Sequence, residues 1–407
     1  MRRSASIRVL SIALGAMGAA WAWGGPALAQ TAPASDTGHW IVDTRLRYEN
    51  VSQDGLADAN AITFRARAGY ETQSFNGFRG LIEGEGVAHL NDEFNDSVNG
   101  NTTHALVPDP EALELNRLQV SWSGHDGQKA TLGRQRIILN NARFIGNAGF
   151  RQNEQTFDAF RLEGRLIPHL ALTYIYIDNV LRTPGNRSPA YRWQSDSHVI
   201  EADLDGAYGR LSAYGLLLDF ANAAGQSSQT YGLRWQKDWT VDANNVRLTL
   251  EAAKQSDYGN APTNFDLGYQ MAEAGVRHGQ FGATLGGERL EGNGARGFST
   301  PLATLHAFQG WADVFLNTPP DGIRDLYVGA TYNTRPWPAA QPVALTLTAH
   351  NFTDDGGGRD FGNELNASAR FTLTPHASLE VAAASFHGDD PRFADRDKLW
   401  VSLEYKL

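Results

Sequence analysis

The chain has no cysteine, three methionines and only five lysines among its 407 residues. The missing thiols exclude a disulfide scaffold, a thiolate zinc site and a cysteine nucleophile together. Positive charge is also in deficit: the formal net charge is −10, which argues against a general nucleic-acid binder. Past the first thirty residues no stretch approaches the ~18–20 consecutive apolar residues that a helix needs to cross a bilayer. The mean hydropathy of −0.39 agrees with that. These absences exclude a second helical anchor. They do not exclude a barrel, whose strands hide their apolar face by alternation.

The N-terminus reads as an address label. Arg2, Arg3 and Arg8 make a basic start, Val9 to Ala22 is apolar, and Ala27-Leu28-Ala29 is a small-residue cleavage site. That pattern is a secretory signal peptide over residues 1–29, leaving residues 30–407 as the mature chain.

The mature chain alternates with period two. Trp40, Val42, Thr44, Leu46 and Tyr48 share one face, and Asp43, Arg45, Arg47 and Glu49 the other. A helix would scatter those charges around its circumference, whereas a strand segregates them. The same pattern runs through Ile62–Glu71, Val246–Ala252, Glu364–Leu373 and Leu399–Leu407. Counting such segments predicts about eighteen strands, beginning near residues 40, 62, 78, 113, 129, 155, 170, 198, 208, 230, 246, 267, 281, 326, 343, 364, 378 and 399. Short connections interleave with long ones, as in an outer-membrane barrel with short periplasmic turns and long outer loops; the segment Pro336–Pro342 is the exception. The fold expected is all-β: one closed, transmembrane, antiparallel barrel without domain boundaries. Trp40, Tyr48, Tyr70, Trp122, Tyr231, Trp239, Tyr332 and Tyr405 lie toward strand ends on the apolar face, where an aromatic girdle belongs. A soluble propeller would repeat every 40 to 50 residues or so, and no such repeat is present.

The inward charges carry the functional information. Arg45, Arg47, Arg65 and Arg67 fall on the lumen face with many carboxylates, a mixture that a wet channel tolerates and a dry core does not. Crossed arginine–glutamate ladders would stiffen the wall; arginines left unpaired would line a path for anions. The segment from Thr131 to Arg161 breaks the alternation and is dense in Arg, Asn, Gln and Gly. Folded into the lumen, its loop 141–154 would narrow or plug the pore, with Gly146 and Gly149 allowing tight turns. Arg134, Arg136, Arg143 and Arg151 would supply positive potential, with Asp158 and Arg161 on the same pathway. The plainer alternative is a solvated outer loop.

Gly133-Arg134-Gln135-Arg136, Gly146-Asn147 and Arg151-Gln152-Asn153-Glu154-Gln155-Thr156-Phe157-Asp158-Ala159 resemble the alginate export family of outer-membrane barrels. So does Thr300 to Asp313 followed by Thr318-Pro319-Pro320-Asp321-Gly322. The resemblance implies a monomeric eighteen-stranded barrel with an arginine-rich constriction that passes a polyuronate or similar anionic polysaccharide. Lipid and lipopolysaccharide would surround it, and periplasmic secretion proteins would be its partners. The alternatives are a small-anion uptake porin and an outer-membrane hydrolase.

Signals for other chemistry are thin. Gly292 to Gly297 matches G-x-G-x-x-G but lacks the βαβ setting of a dinucleotide site, so a flexible outer loop is the expectation. His198, His278, His306, His350 and Ser299 could furnish a hydrolytic triad, although no nucleophile elbow accompanies them. Asp354, Asp355 and Asp360, or Asp389, Asp390 and Asp395, carry the oxygen donors that Ca2+ takes, and would equally make solvated loop tips. No other cofactor is expected, and the reading is of a channel rather than an enzyme.

Overall fold

The computed structural model describes residues 37–125, 127–334 and 342–407. Eighteen antiparallel strands form a single sheet. It closes because the first strand, β1 (His39–Gln53), pairs on one side with β2 (Ala59–Glu71) and on the other with β18 (Arg396–Lys406). Closure leaves no strand edge unpaired, which backbone polar groups require in hydrocarbon. The strands begin within four residues of the expected positions, except that β8 (Arg192–Gly206) starts six residues earlier than His198. The signal-peptide reading and most of Pro336–Pro342 fall outside the described residues.

The alternation sorts as the sequence requires. On β1 and β2 the exposed residues include Leu46, Ile62 and Phe64, while Arg45, Arg47, Arg65 and Arg67 are buried inside. Trp40, Tyr231, Trp239 and Tyr405 are exposed on the outer face. An apolar exterior around a charged interior inverts a soluble protein and suits a barrel in lipid.

One end of the barrel carries short turns, such as residues 168–169 and 207–208, and the other carries long loops. Three long loops fold over or into the lumen: 90–111, 136–155 and 291–322. Each is held there by a few apolar side chains among its polar ones. Phe94, Ala105 and Val107 pack on Val51, Ala59 and Ala61 at the top of β1 and β2. Ile137, Ile145, Phe298, Leu302 and Phe315 pack against Phe157, Ile175, Ile177, Val199 and Tyr269 on the inner wall. The hydrophobic core of this molecule is therefore a stopper in the long-loop half of the barrel.

Candidate functional site

The constriction is built by two segments that hold each other. Segment 136–155 joins β5 (Lys129–Gln135) to β6 (Thr156–Ile167), and segment 291–322 joins β13 (Phe281–Leu290) to β14 (Ile323–Asn333). They meet in a parallel bridge between Ile145 and Leu302. The Gly146 amide donates to the Leu302 carbonyl at 2.8 Å, and the Gln155 side-chain amide reaches both Gly146 O (2.8 Å) and Leu302 O (3.0 Å). Gly146 is glycine because of this contact rather than a turn: a β-carbon there would lie 2.2 Å from Thr304 Oγ1. The loop expected to enter the lumen does so. The second segment was not anticipated, although its run of Phe298, Leu302, Phe308, Trp311 and Phe315 is too apolar for a solvated loop.

The lumen arginines seat the first segment. Arg45 bonds Glu404 at 2.6 Å and donates to the carbonyls of Phe150 (2.9 Å), Arg151 (3.2 Å) and Gly149 (3.2 Å). Arg47 donates to Ser402 Oγ at 3.1 Å and to Phe150 O at 2.8 Å. Arg67 pairs with Glu85 and reaches Gln152 O at 3.4 Å, and Arg65 pairs with Asp43. All four are nearly inaccessible to solvent. The expectation of unpaired arginines lining a path is corrected for these residues: each meets a carboxylate, and loop carbonyls also cover Arg45, Arg47 and Arg67. A buried guanidinium without such partners is costly, and five donors in a rigid fork let one side chain grip wall and loop at once.

The segment's own charges are locked as well. Arg136 bonds Glu154 at 2.6 Å, and Asn116 and Asn147 each donate to that carboxylate at 2.7 Å. Burial works against the Glu154 anion, but Arg136 and Arg67 outweigh it and hold its carboxyl well below the usual range. Arg143 donates to Thr300 Oγ1 at 3.1 Å and lies 3.2 Å from Glu288. Arg151 and Lys398 both donate to Asp313 Oδ2 at 2.7 Å, while His306 Nδ1 meets Oδ1 at 2.7 Å. Asp313 thereby ties both segments to β18.

Two of the expected site residues lie on the other side of the wall. Arg134 pairs in register with Leu118 of β4 (Ala112–Ser123) and with Asp158 of β6. Residues directly opposite in an antiparallel pair share a face, and Leu118, like Leu132 one step along, is exposed. Thr131 and Gln135, on the other parity, are buried. Arg134 and Asp158 thus form a two-pronged ion pair, at 2.7 and 3.0 Å, on the outer face. The correction follows from β5 keeping its alternation to Gln135, so that Arg134 belongs to a strand. Arg161 does face inward, bonded to Glu163 at 2.7 Å.

Beside the stopper remains a small cavity of about 20 Å3. Leu139, Asn140 and Phe144 of the first segment line it, facing Val199 and Glu201 of β8 and Tyr214 and Leu216 of β9 (Gly209–Leu218). Glu251 at its edge is held by Arg234 (2.5 Å) and Tyr214 (2.9 Å); Glu201 accepts from Asn140. The cavity is lined by apolar rings, amides and carboxylates; on the inner wall Arg161 bonds Glu163, Arg234 bonds Glu251, and Arg210 meets Asp203 at 2.7 Å and Asp205 at 4.0 Å.

The remaining candidates do not assemble. The Ser299 hydroxyl donates to Gln226, His198 bonds Tyr174, His278 bonds Asn244, and His306 and His350 bond Asp313 and Asp325. No triad forms from them. Asp355 lies near Arg289, Asp390 is gripped by Arg392 and Asp395 by His387, while Asp354 and Asp360 accept from backbone amides. No group of three or more metal-ligating side chains is found among the described residues. Gly292 and Gly297 pair as a small hairpin rather than a phosphate loop.

No family model matches the chain, and no curated protein does. Solved structures do. OccAB4 of Acinetobacter baumannii superposes with a TM-score of 0.72 at 12% identity, over 92% of this chain and 99% of that one. OpdK of Pseudomonas aeruginosa, solved with vanillate, gives 0.70 at 14% identity, over 90% and 98%. OccK2 (OpdF) of the same organism, in complex with glucuronate, gives 0.65 at 14%, again over 90% and 98%. At such identities the likeness establishes the fold, an eighteen-stranded outer-membrane-type barrel. The resemblance to the alginate export family gains no support from them.

Proposed function

We propose that this chain is a passive outer-membrane channel for the uptake of small organic anions. The observation that carries the reading is the two-segment stopper, which fills the long-loop half of the lumen with packed side chains and leaves beside it a cavity of only about 20 Å3, room for a water molecule and no conduit for a polysaccharide. Export of a polyuronate, the first expectation, is set aside on that ground. The barrels of the same fold solved with vanillate and with glucuronate support the uptake reading. In this reading the long-loop end faces outward and the short-turn end faces the periplasm. Passage needs no catalytic group. Charges held in pairs along the lumen offer many weak sites, so a solute is concentrated without being trapped.

Single-channel reversal potentials in a salt gradient test the reading. The expected result is a moderate anion preference, together with liposome influx of glucuronate and vanillate exceeding that of neutral sugars of similar size. Cation preference, or passage of uronate polymers as readily as monomers, would overturn it.

A further inference from the structure

Arg182 sits at the long-loop end of β7 (Leu170–Leu181), one residue beyond the strand. Its amide donates to the Tyr191 carbonyl at 2.7 Å, adding one rung to the β7–β8 ladder. Beneath that rung Val180 stands opposite Trp193, and Val180 is wholly buried on the inner face. The two-residue period of a strand puts Arg182 on the same inner face, one rung nearer the mouth. Its guanidinium carbon lies 3.9 Å from the centroid of the Trp193 ring. Trp193 in turn packs on Phe220, ring centroids 5.0 Å apart. The result is a cation held over an aromatic shelf at the long-loop end.

The chemistry there differs from that of the seated arginines. Arg45, Arg67 and Arg151 each meet at least one carboxylate. Arg182 has no ion pair among the described residues, and its Nε is buried without an acceptor. Burial alone, with no acid opposing it, pushes its guanidinium down to about 10. The side chain keeps partial contact with solvent, so an entering solute can reach it. A desolvated cation lacking a counter-ion is unfavourable, and an arriving anion relieves it. Further down the inner face of β8, Val199 and Glu201 line the small cavity beside the stopper.

We propose that Arg182, held on Trp193, is the first docking point for a carboxylate entering from the long-loop end, with the Trp193–Phe220 shelf receiving an apolar or ring-shaped body. This rests on the anion-uptake reading and adds to it the residue that first receives the carboxylate.

The test uses the full-length protein in planar bilayers, with benzoate as the charged probe and benzyl alcohol as its neutral counterpart, each added from one side. Benzoate block from the long-loop side should weaken about tenfold in Arg182→Gln, the scale of one charge-assisted hydrogen bond. Block from the opposite side and passage of benzyl alcohol should not change. Arg182→Lys should keep part of the block because it keeps the charge. Equal block in wild type and Arg182→Gln would overturn the proposal. So would Gln and Lys variants that alter benzoate and benzyl alcohol alike, since that marks a mere loop anchor. A wild type without anion preference in the salt gradient would sink the uptake reading itself; a wild type that prefers anions but is insensitive at residue 182 would sink only this inference.

Discussion

Phe150 and His306 lie face to face, their ring centroids 3.4 Å apart and their planes 13° from parallel. The contact joins the two in-folded segments directly. The ring of Phe150 is also approached by Arg47 at 4.4 Å and Arg151 at 4.9 Å, and the edge of Trp400 closes the cluster at 5.6 Å. One side chain thus links wall, first segment and second segment. Phe150→Ala should loosen the stopper without opening the barrel. Loss is expected at about 2 kcal/mol, below the usual range for a fully buried phenylalanine because this one is half-buried. Single-channel recordings should show larger and noisier conductance, while migration as a folded barrel in unboiled gels is kept.

The outward ion pair separates the pore from the wall. Because Arg134 faces away from the lumen, Arg134→Gln should leave ion selectivity as in wild type. It should nevertheless destabilise the barrel by about 1–3 kcal/mol by leaving Asp158 unpaired on an apolar exterior. The double variant Arg134→Leu with Asp158→Leu should recover most of that loss. Denaturant titration in detergent micelles or lipid vesicles measures both.

Gly146 tests the joint between the segments. Gly146→Val forces side-chain atoms into Thr304 Oγ1 and the methyl of Ala142, which a β-carbon would approach at 2.2 and 2.7 Å. The Ile145–Leu302 bridge should open, seen as faster hydrogen exchange at the amides of both segments and not at the strands.

Acid should loosen the stopper in two stages. Burial pushes His306 down from its ordinary value, and Arg151 and Lys398 add to this against the pull of Asp313. A base depressed in the folded state costs nothing while neutral. It removes stability as pH falls below its unfolded value near 6.5, where the unfolded chain takes up the proton first. Burial opposes the Asp313 anion too, yet His306, Lys398 and Arg151 together hold its carboxyl well below the usual range. That contribution is complete above about pH 4 and is lost only as pH falls further, through the depressed value. Conductance against pH should therefore show a first change below about pH 6.5 that disappears in His306→Gln, and a second below about pH 4 that disappears in Asp313→Asn.

The strands were legible because strand identity is local. Whether Leu46 meets lipid and Arg47 meets the lumen is decided by the parity of adjacent residues, and eighteen repetitions of that rule specify a barrel. The entry of loop 141–154 was legible for a similar reason, as a break in the rule. Segment 291–322 carries its own signal in Phe298, Leu302 and Phe315, apolar residues that a solvated loop would leave exposed and that the stopper buries. The side of the wall occupied by Arg134 was also local information, since Thr131, Gly133 and Gln135 continue the inward parity of β5.

The pairing of the arginines was decided by tertiary structure alone. Arg45 finds Glu404 across 359 residues of chain and Phe150 O across 105, and no spacing in the sequence announces either. A charge on the inner face can line a path, stiffen a wall or seat a loop. Only closure of the sheet, which brings the last strand against the first, fixes which counter-charge is within reach. Charge type is a property of one residue, whereas free charge is a property of everything within about 4 Å of it.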